Sequence, residues 1–169
     1  MGALPVRWRI AISEAPVFVA IALAGWWVLG HPATPLPEVA DRLAQAIGWL
    51  VVPGLCIAAG IVLTASMRFS DDRIIDGQAS NVPDRLEILL RYNRNTLEQA
   101  ILVIIAWPAF ALAVPTFAPV LLPIVAAFFG AGRLAFLIGY MIAPWARGVG
   151  FGLTFYPTAL IYGWLIFGA

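Results

Sequence analysis

Twenty-five consecutive residues, Leu43 to Met67, carry no formal charge. About 20 apolar residues suffice for a helix to cross the ~30 Å hydrocarbon core of a bilayer, so this stretch reads as a membrane-spanning helix. Composition points the same way. The chain is 62% hydrophobic and 11% charged with a mean hydropathy of +0.92, whereas a soluble domain is roughly half apolar and about a quarter charged. An all-α integral membrane protein is expected.

Five spans can be read. The first runs from about Ile10 to Gly30, with Glu14 and Pro16 in its first turns, and a proline-rich turn (His31 to Pro37) follows. The second covers about Glu38 to Met67, with a kink expected at Pro53-Gly54. A polar loop, Arg68 to Val82, leads to a third span opened by Pro83, where a first-turn proline followed by Asp84 and Glu87 suits the positive end of a helix. That span runs to about Val114. Pro115 and Pro119 bracket a turn into the fourth, which ends near Ala143, and Pro144-Trp145 turns into the fifth, about Ala146 to Phe167. No internal repeat or linker is visible, so one domain is expected over residues 1–169.

All ten basic residues are arginine, and spans alternate sides. One side then receives Arg7, Arg9, Arg68, Arg73, Arg85, Arg91, Arg94 and Arg147, the other only Arg42. The positive-inside rule puts the N-terminus and the Arg68–Arg94 region in the cytoplasm and the C-terminus outside, which for a bacterial chain means the inner membrane. The net charge of +1 argues against a nucleic-acid partner. A single Cys56 and a single His31 rule out an intrachain disulfide and disfavour a structural zinc site.

Charge inside the apolar frame marks where function can sit. Glu87, Arg91, Arg94, Asn95 and Glu98 fall at helical steps of three and four and share a face. Intramembrane ionisable groups are costly and face a bundle interior or a cavity, which makes them functional candidates. Arg133 stands midway through the fourth span and is expected to face the bundle and bond Glu98, Glu14 or a backbone carbonyl rather than lipid. Tyr140 lies seven residues after Arg133, on the same helix face, and Arg147 begins the fifth span. Several arginines with few acidic partners suit an anionic ligand, and a guanidinium beside a thiol favours the thiolate. The plainer reading of the same residues is headgroup contact by snorkelling arginines and i, i+4 pairing on a solvated face. Gly148-x-x-x-Gly152 is a close-packing motif that does not by itself specify an oligomer.

Two separated motifs resemble the family of membrane-associated proteins in eicosanoid and glutathione metabolism, which includes microsomal glutathione transferases and the prostaglandin and leukotriene synthases. The family's second helix carries a pattern close to Glu-Arg-x-x-Arg-Ala-x-x-Asn-x-x-Glu. This chain has Asp84-Arg85-x-Glu87, then Arg91-Tyr92-x-x-Asn95-x-x-Glu98. Further on, Gly132-Arg133 to Tyr140 and Pro144-Trp145-Ala146-Arg147-Gly148 to Phe151 are similar to the family's Gly-Arg to Tyr segment and its following Pro-x-x-Arg-Ser. The resemblance covers about Val51 to Phe167. It implies a four-helix core, here residues 38–169, assembled as a homotrimer with glutathione held between subunits near the cytoplasmic side. Under that implication Arg91, Arg94, Asn95, Glu98 and Tyr140 bind the peptide, Arg68 binds a carboxylate, and Arg147 stabilises the thiolate.

The departures are specific. Residues 10–30 form an extra N-terminal span outside the family core. Tyr92 replaces the usual Ala, Asn93 and Phe136 stand where some members carry His, Gly148 lacks a serine hydroxyl, and Phe151 lacks a tyrosine hydroxyl. These losses count against an eicosanoid synthase. The resemblance then implies a glutathione-dependent transferase or peroxidase acting on a lipophilic electrophile or lipid hydroperoxide. The alternatives are a non-enzymatic lipid-binding member and a structural subunit of a larger membrane complex, in which the extra span would dock.

Overall fold

Six helices carry the described residues, 5–77 and 84–168, of the computed structural model: α1 (Val6–Gly30), α2 (Val39–Trp49), α3 (Val51–Phe69), α4 (Asp84–Ala113), α5 (Ala118–Ile142) and α6 (Gly148–Phe167). Among these residues five stretches are long and apolar enough to cross a membrane, with α2 and α3 together forming the second, Val39–Phe69. The chain is an all-helical integral membrane protein. Pro83, expected to open the third span, lies outside the described residues.

The break in the second span falls at Leu50 rather than at the expected Pro53-Gly54. Pro53 has no N–H for the carbonyl of Trp49, four residues earlier, and its ring crowds that carbonyl. The chain tightens there instead: the N–H of Leu50 donates to Ile47 O at 3.0 Å, and Gly54 resumes the ladder by donating to Leu50 O at 3.2 Å. Pro53 thus sits in the first turn of α3, where a missing N–H is harmless.

Helix length explains where the charges go. α4 has 30 residues, about 45 Å at ~1.5 Å per residue, and so exceeds the ~30 Å hydrocarbon thickness by about ten residues. Its first ten, Asp84 to Asn93, hold most of its charges. On the same helix Leu89, Tyr92, Thr96, Gln99, Val103, Ala106 and Phe110 are buried at steps of three and four, while Leu97, Ile101, Ile104, Ile105 and Leu112 remain exposed on another face. The main apolar core, with Trp107, Phe110, Leu122, Ala126 and Phe129 among its members, therefore lies away from the charged end, and a smaller aromatic cluster of Tyr92, Phe136 and Tyr140 lies near it.

Glycines permit close approaches at two contacts of α6. At the α5–α6 contact, a Cβ on Gly150 would run into the backbone of Phe136 and Gly132, and one on Gly132 would lie 2.9 Å from Gly150 O. At the α1–α6 contact, a Cβ on Gly148 would sit 3.3 Å from Glu14 Oε1, and one on Gly152 would sit 3.2 Å from Val17 Cγ1. The Gly148-x-x-x-Gly152 motif thus seats the chain's own first helix. Phe18 of α1 stacks on Tyr156 at the same contact, with ring centroids 5.0 Å apart. At the opposite end of the bundle, the N–H of Ala33 donates to Thr116 O at 2.9 Å and ties the α1–α2 connection to the α4–α5 turn. In the loop after α3, hydrogen bonds from Arg73 hold the Asp71 carboxyl down at about 2.

Candidate functional site

Tyr92 and Asn93 fix the register of α4 before any functional side chain is placed. The Tyr92 hydroxyl donates to Cys56 O at 3.3 Å, and Asn93 Nδ2 donates to Gly60 O at 3.2 Å and Thr64 Oγ1 at 2.8 Å. Gly60 is what lets Asn93 in, because a Cβ there would collide with its Oδ1 and lie 2.7 Å from the Tyr92 ring. Both departures from the family pattern therefore anchor α4 to α3. With α4 fixed, Arg91 and Asn95 point to the side occupied by α5 and α6.

There the hydroxyl of Tyr140, itself only 6% exposed, accepts two charge-assisted hydrogen bonds. Arg91 Nη1 donates to it at 2.7 Å and Arg147 Nη1 at 2.8 Å. Arg147 also lies over the Tyr140 ring, its guanidinium carbon 4.8 Å from the centroid, a cation–π arrangement. Arg91 is paired on its other side with Glu87, one turn back. A cavity of about 480 Å³ opens at this pair, lined by Arg91 and Asn95 of α4, Phe136 and Tyr140 of α5, the Pro144–Arg147 turn, Gly148 and Phe151 of α6, and Ile10 and Glu14 of α1.

One step deeper, Arg133 bridges three helices. It is 1% exposed, and its Nη1 donates to Asn95 Oδ1 at 2.8 Å while its Nη2 donates to Thr154 Oγ1 at 3.0 Å. The Phe136 ring lies 4.6 Å from its guanidinium carbon. Of the expected partners it reaches a backbone carbonyl, Gly150 O at 3.5 Å, and neither carboxylate: Glu14 accepts from Tyr156 at 2.8 Å and Glu98 from Arg94 at 3.2 Å. Neutral oxygens and an aromatic face suffice because the guanidinium spreads its charge over five donors and stacks well. Arg133 orients Asn95 from behind the cavity wall.

Of the site residues expected from sequence, Arg91, Asn95, Tyr140 and Arg147 come together on one cavity. Arg94 and Glu98 do not join them. They pair with each other on an outer face, with side chains 85% and 56% exposed. Arg68 lies in a separate cleft of about 370 Å³ with Thr64, Ile75 and Asn93. From sequence, Glu14 is a candidate partner for Arg133 and, with Pro16, a feature of the extra span as a docking element. Its place on the cavity follows from the α1–α6 contact, and the signal for it was a lone carboxylate in an otherwise uncharged span.

The profile of the MAPEG family matches residues 43–167. No curated protein and no solved structure matches the chain. The matched segment begins inside α2 and includes every residue of the cavity except Ile10 and Glu14.

Proposed function

Since the chain belongs to the MAPEG family and so sits among membrane proteins of eicosanoid and glutathione metabolism, we propose that it is a glutathione-dependent transferase or peroxidase. Its second substrate is a lipophilic electrophile or a lipid hydroperoxide that reaches the cavity from the bilayer. The observation that carries this reading is the pair of guanidiniums, Arg91 and Arg147, held on one tyrosine hydroxyl at the mouth of a cavity of about 480 Å³.

The residues fit the peptide chemically. A guanidinium has five N–H donors in a fixed fork. Among the described residues Arg147 spends one of them, on Tyr140, which leaves donors for a carboxylate or a sulfur anion. Glutathione supplies the nucleophile: its thiolate bonds to an electrophilic carbon as a leaving group departs, or takes the terminal oxygen of a hydroperoxide, with the alkoxide protonated to an alcohol and a second thiol completing the disulfide and water. Arg147 lowers the thiol's pKa by favouring the anion. Arg91 and Asn95 orient the peptide, and Tyr140 sets the spacing of the two guanidiniums. Arg94, Glu98 and Arg68 belong to this proposal as residues that meet the ligand across a subunit boundary in a homotrimer. The cavity side faces the cytoplasm of a bacterial inner membrane, in line with the arginine asymmetry.

A second reading, a non-catalytic lipid-binding member, is favoured by a different feature. An almost wholly apolar cavity of about 430 Å³ lies between α1, α4, α5 and α6, lined by Val28, Phe110, Phe117, Leu121, Ile161 and Trp164 among others. Isothermal titration of the detergent-solubilised protein with glutathione separates the two. Saturable binding, with turnover of an electrophile or hydroperoxide, is expected. No heat of binding at millimolar glutathione would leave the lipid-binding reading in its place.

A further inference from the structure

The helix that lies outside the family-matched segment contributes a charge to the cavity. α1 ends at Gly30 and the match begins at residue 43, yet Glu14 of α1 lines the same cavity as Arg91 and Arg147. Its placement is specific. Glu14 Oε2 accepts from Tyr156 Oη at 2.8 Å, and among the described residues Oε1 has no hydrogen-bond partner. The carboxylate sits against Gly148, the first residue of α6, where a side chain would press a Cβ to 3.3 Å from Oε1. The serine common at this position in the family would crowd it. Gly148 thus leaves room for the Glu14 carboxylate, and the positive end of α6 favours a negative charge there.

Without Glu14 the ionic groups that a single chain gives its own cavity are two guanidiniums, a lining that takes anions and repels an ammonium. With it the cavity carries both signs. We infer that Glu14 is a specificity-determining residue that accepts a hydrogen bond from an ammonium group of the ligand, so that the site selects a zwitterion over a simple anion. On the glutathione reading, on which this rests, the group is the free α-amine of the peptide. Glu98, the acidic residue of the family pattern, pairs with Arg94 on an outer face and does not line this cavity.

The test uses ligand chemistry, so that a structural effect of the substitution cannot imitate it. The full-length protein in detergent is titrated calorimetrically with glutathione and with glutathione acetylated on its α-amine. Acetylation removes the ammonium and keeps both carboxylates and the thiol. In the wild type it is expected to weaken binding about tenfold, the scale of one charge-assisted hydrogen bond. In Glu14→Gln, which still offers Tyr156 an acceptor, the two peptides should bind alike. Tyr156→Phe, which removes only the anchoring bond, should keep the preference for the free amine. An acetylation penalty of equal size in wild type and Glu14→Gln overturns the assignment, as does no penalty in the wild type. Failure of glutathione itself to bind the wild type overturns the peptide reading, and this inference falls with it.

Discussion

Arg147 is joined to Tyr140 twice, through a hydrogen bond of 2.8 Å to the hydroxyl and through a guanidinium placed 4.8 Å from the ring centroid. Because the same hydroxyl accepts from Arg91, one oxygen sets the distance between the two cations. Both arginines are exposed enough to be hydrated, so the hydroxyl organises the site more than it stabilises the fold.

Tyr140→Phe therefore separates organisation from stability. The ring and its cation–π contact remain while both guanidiniums lose their shared acceptor. Glutathione affinity should fall about tenfold, as for loss of a hydrogen bond to a charged group, and thermal unfolding in detergent should shift by less than ~1 kcal/mol. Unchanged affinity by calorimetry would mean that the bridge does not organise the ligand site.

Arg133 tests the opposite balance. Two of its acceptors keep local bonds of their own: Thr96, which accepts from Arg133 Nη1 at 3.5 Å, donates to Tyr92 O at 2.7 Å, and Thr154 donates to Phe151 O at 2.9 Å. Removing the charge altogether then leaves few orphans, whereas Lys keeps a buried charge without the span to bridge α4 and α6. Arg133→Lys should destabilise by about 3 kcal/mol, as for a buried charge deprived of partners, and Arg133→Met by less than ~1.5 kcal/mol. Denaturation of the purified variants in micelles gives the order. Lys tolerated better than Met would show that charge, rather than geometry, is what the bundle needs at this position.

Much of this was legible in the chain because the membrane simplifies the reading. An uncharged stretch of this length can do little else, and the motifs around Arg91 and Arg133 keep the spacing that carries the family resemblance. What sequence misplaced was partnership. Arg133 faces the bundle and reaches a backbone carbonyl, Gly150 O, as one of the expected partners, but the two candidate carboxylates go elsewhere, because spacing along one helix does not say which neighbour arrives opposite. Asn95 arrives because Tyr92 and Asn93 lock α4 against α3. The kink in the second span was misplaced by about one turn for a local reason: proline disrupts the bond to the carbonyl four residues earlier, not its own position. Glu14 was visible as an oddity, but only the packing of α1 on Gly148 and Gly152 brings it to the cavity.

That packing gives a graded glycine series within α6. A Cβ at Gly150 meets the backbone of α5, which cannot give way, whereas nothing lies within 4 Å of one at Gly163. Gly150→Ala should destabilise strongly, by about 3 kcal/mol, in the range of severe overpacking. Gly163→Ala should be neutral or stabilising by ~0.5–1 kcal/mol through reduced backbone entropy loss. Gly148→Ser should fall between and act through α1. A cysteine pair placed across the α1–α6 contact should crosslink less readily in that variant. Equal crosslinking would show that Gly148 does not seat the first helix.

The exposed apolar face of α4 supplies a test of assembly. Leu97, Ile101, Ile104 and Ile105 are each more than half exposed on the helix that also carries Arg94 and Glu98. If the proposed homotrimer buries this face, those two outer residues come near a neighbour's cavity. Native mass spectrometry from mild detergent should then give a trimer for the wild type and a shift to monomer for Ile101→Arg combined with Ile104→Arg. A wild-type monomer would remove Arg94, Glu98 and Arg68 from the proposed site and leave the single-chain cavity to act alone.

The mechanistic weight rests on Arg147. Its guanidinium has donors left over after bonding Tyr140, and it lies at the turn into α6, where a bound thiol can approach it from the cavity. If it stabilises the thiolate, Arg147→Leu should raise the apparent pKa of the bound thiol and slow turnover while leaving peptide binding largely intact, because the interaction strengthens as charge develops on sulfur. Arg91→Leu should instead weaken binding, since it holds the peptide in ground and transition states alike. Ultraviolet absorbance of the thiolate, followed against pH with glutathione bound, reads the first effect without turnover: in the variant the titration midpoint should move to higher pH. Identical thiolate titrations in wild type and Arg147→Leu would take Arg147 out of the chemistry and leave Arg91 as the remaining guanidinium of the cavity able to polarise sulfur.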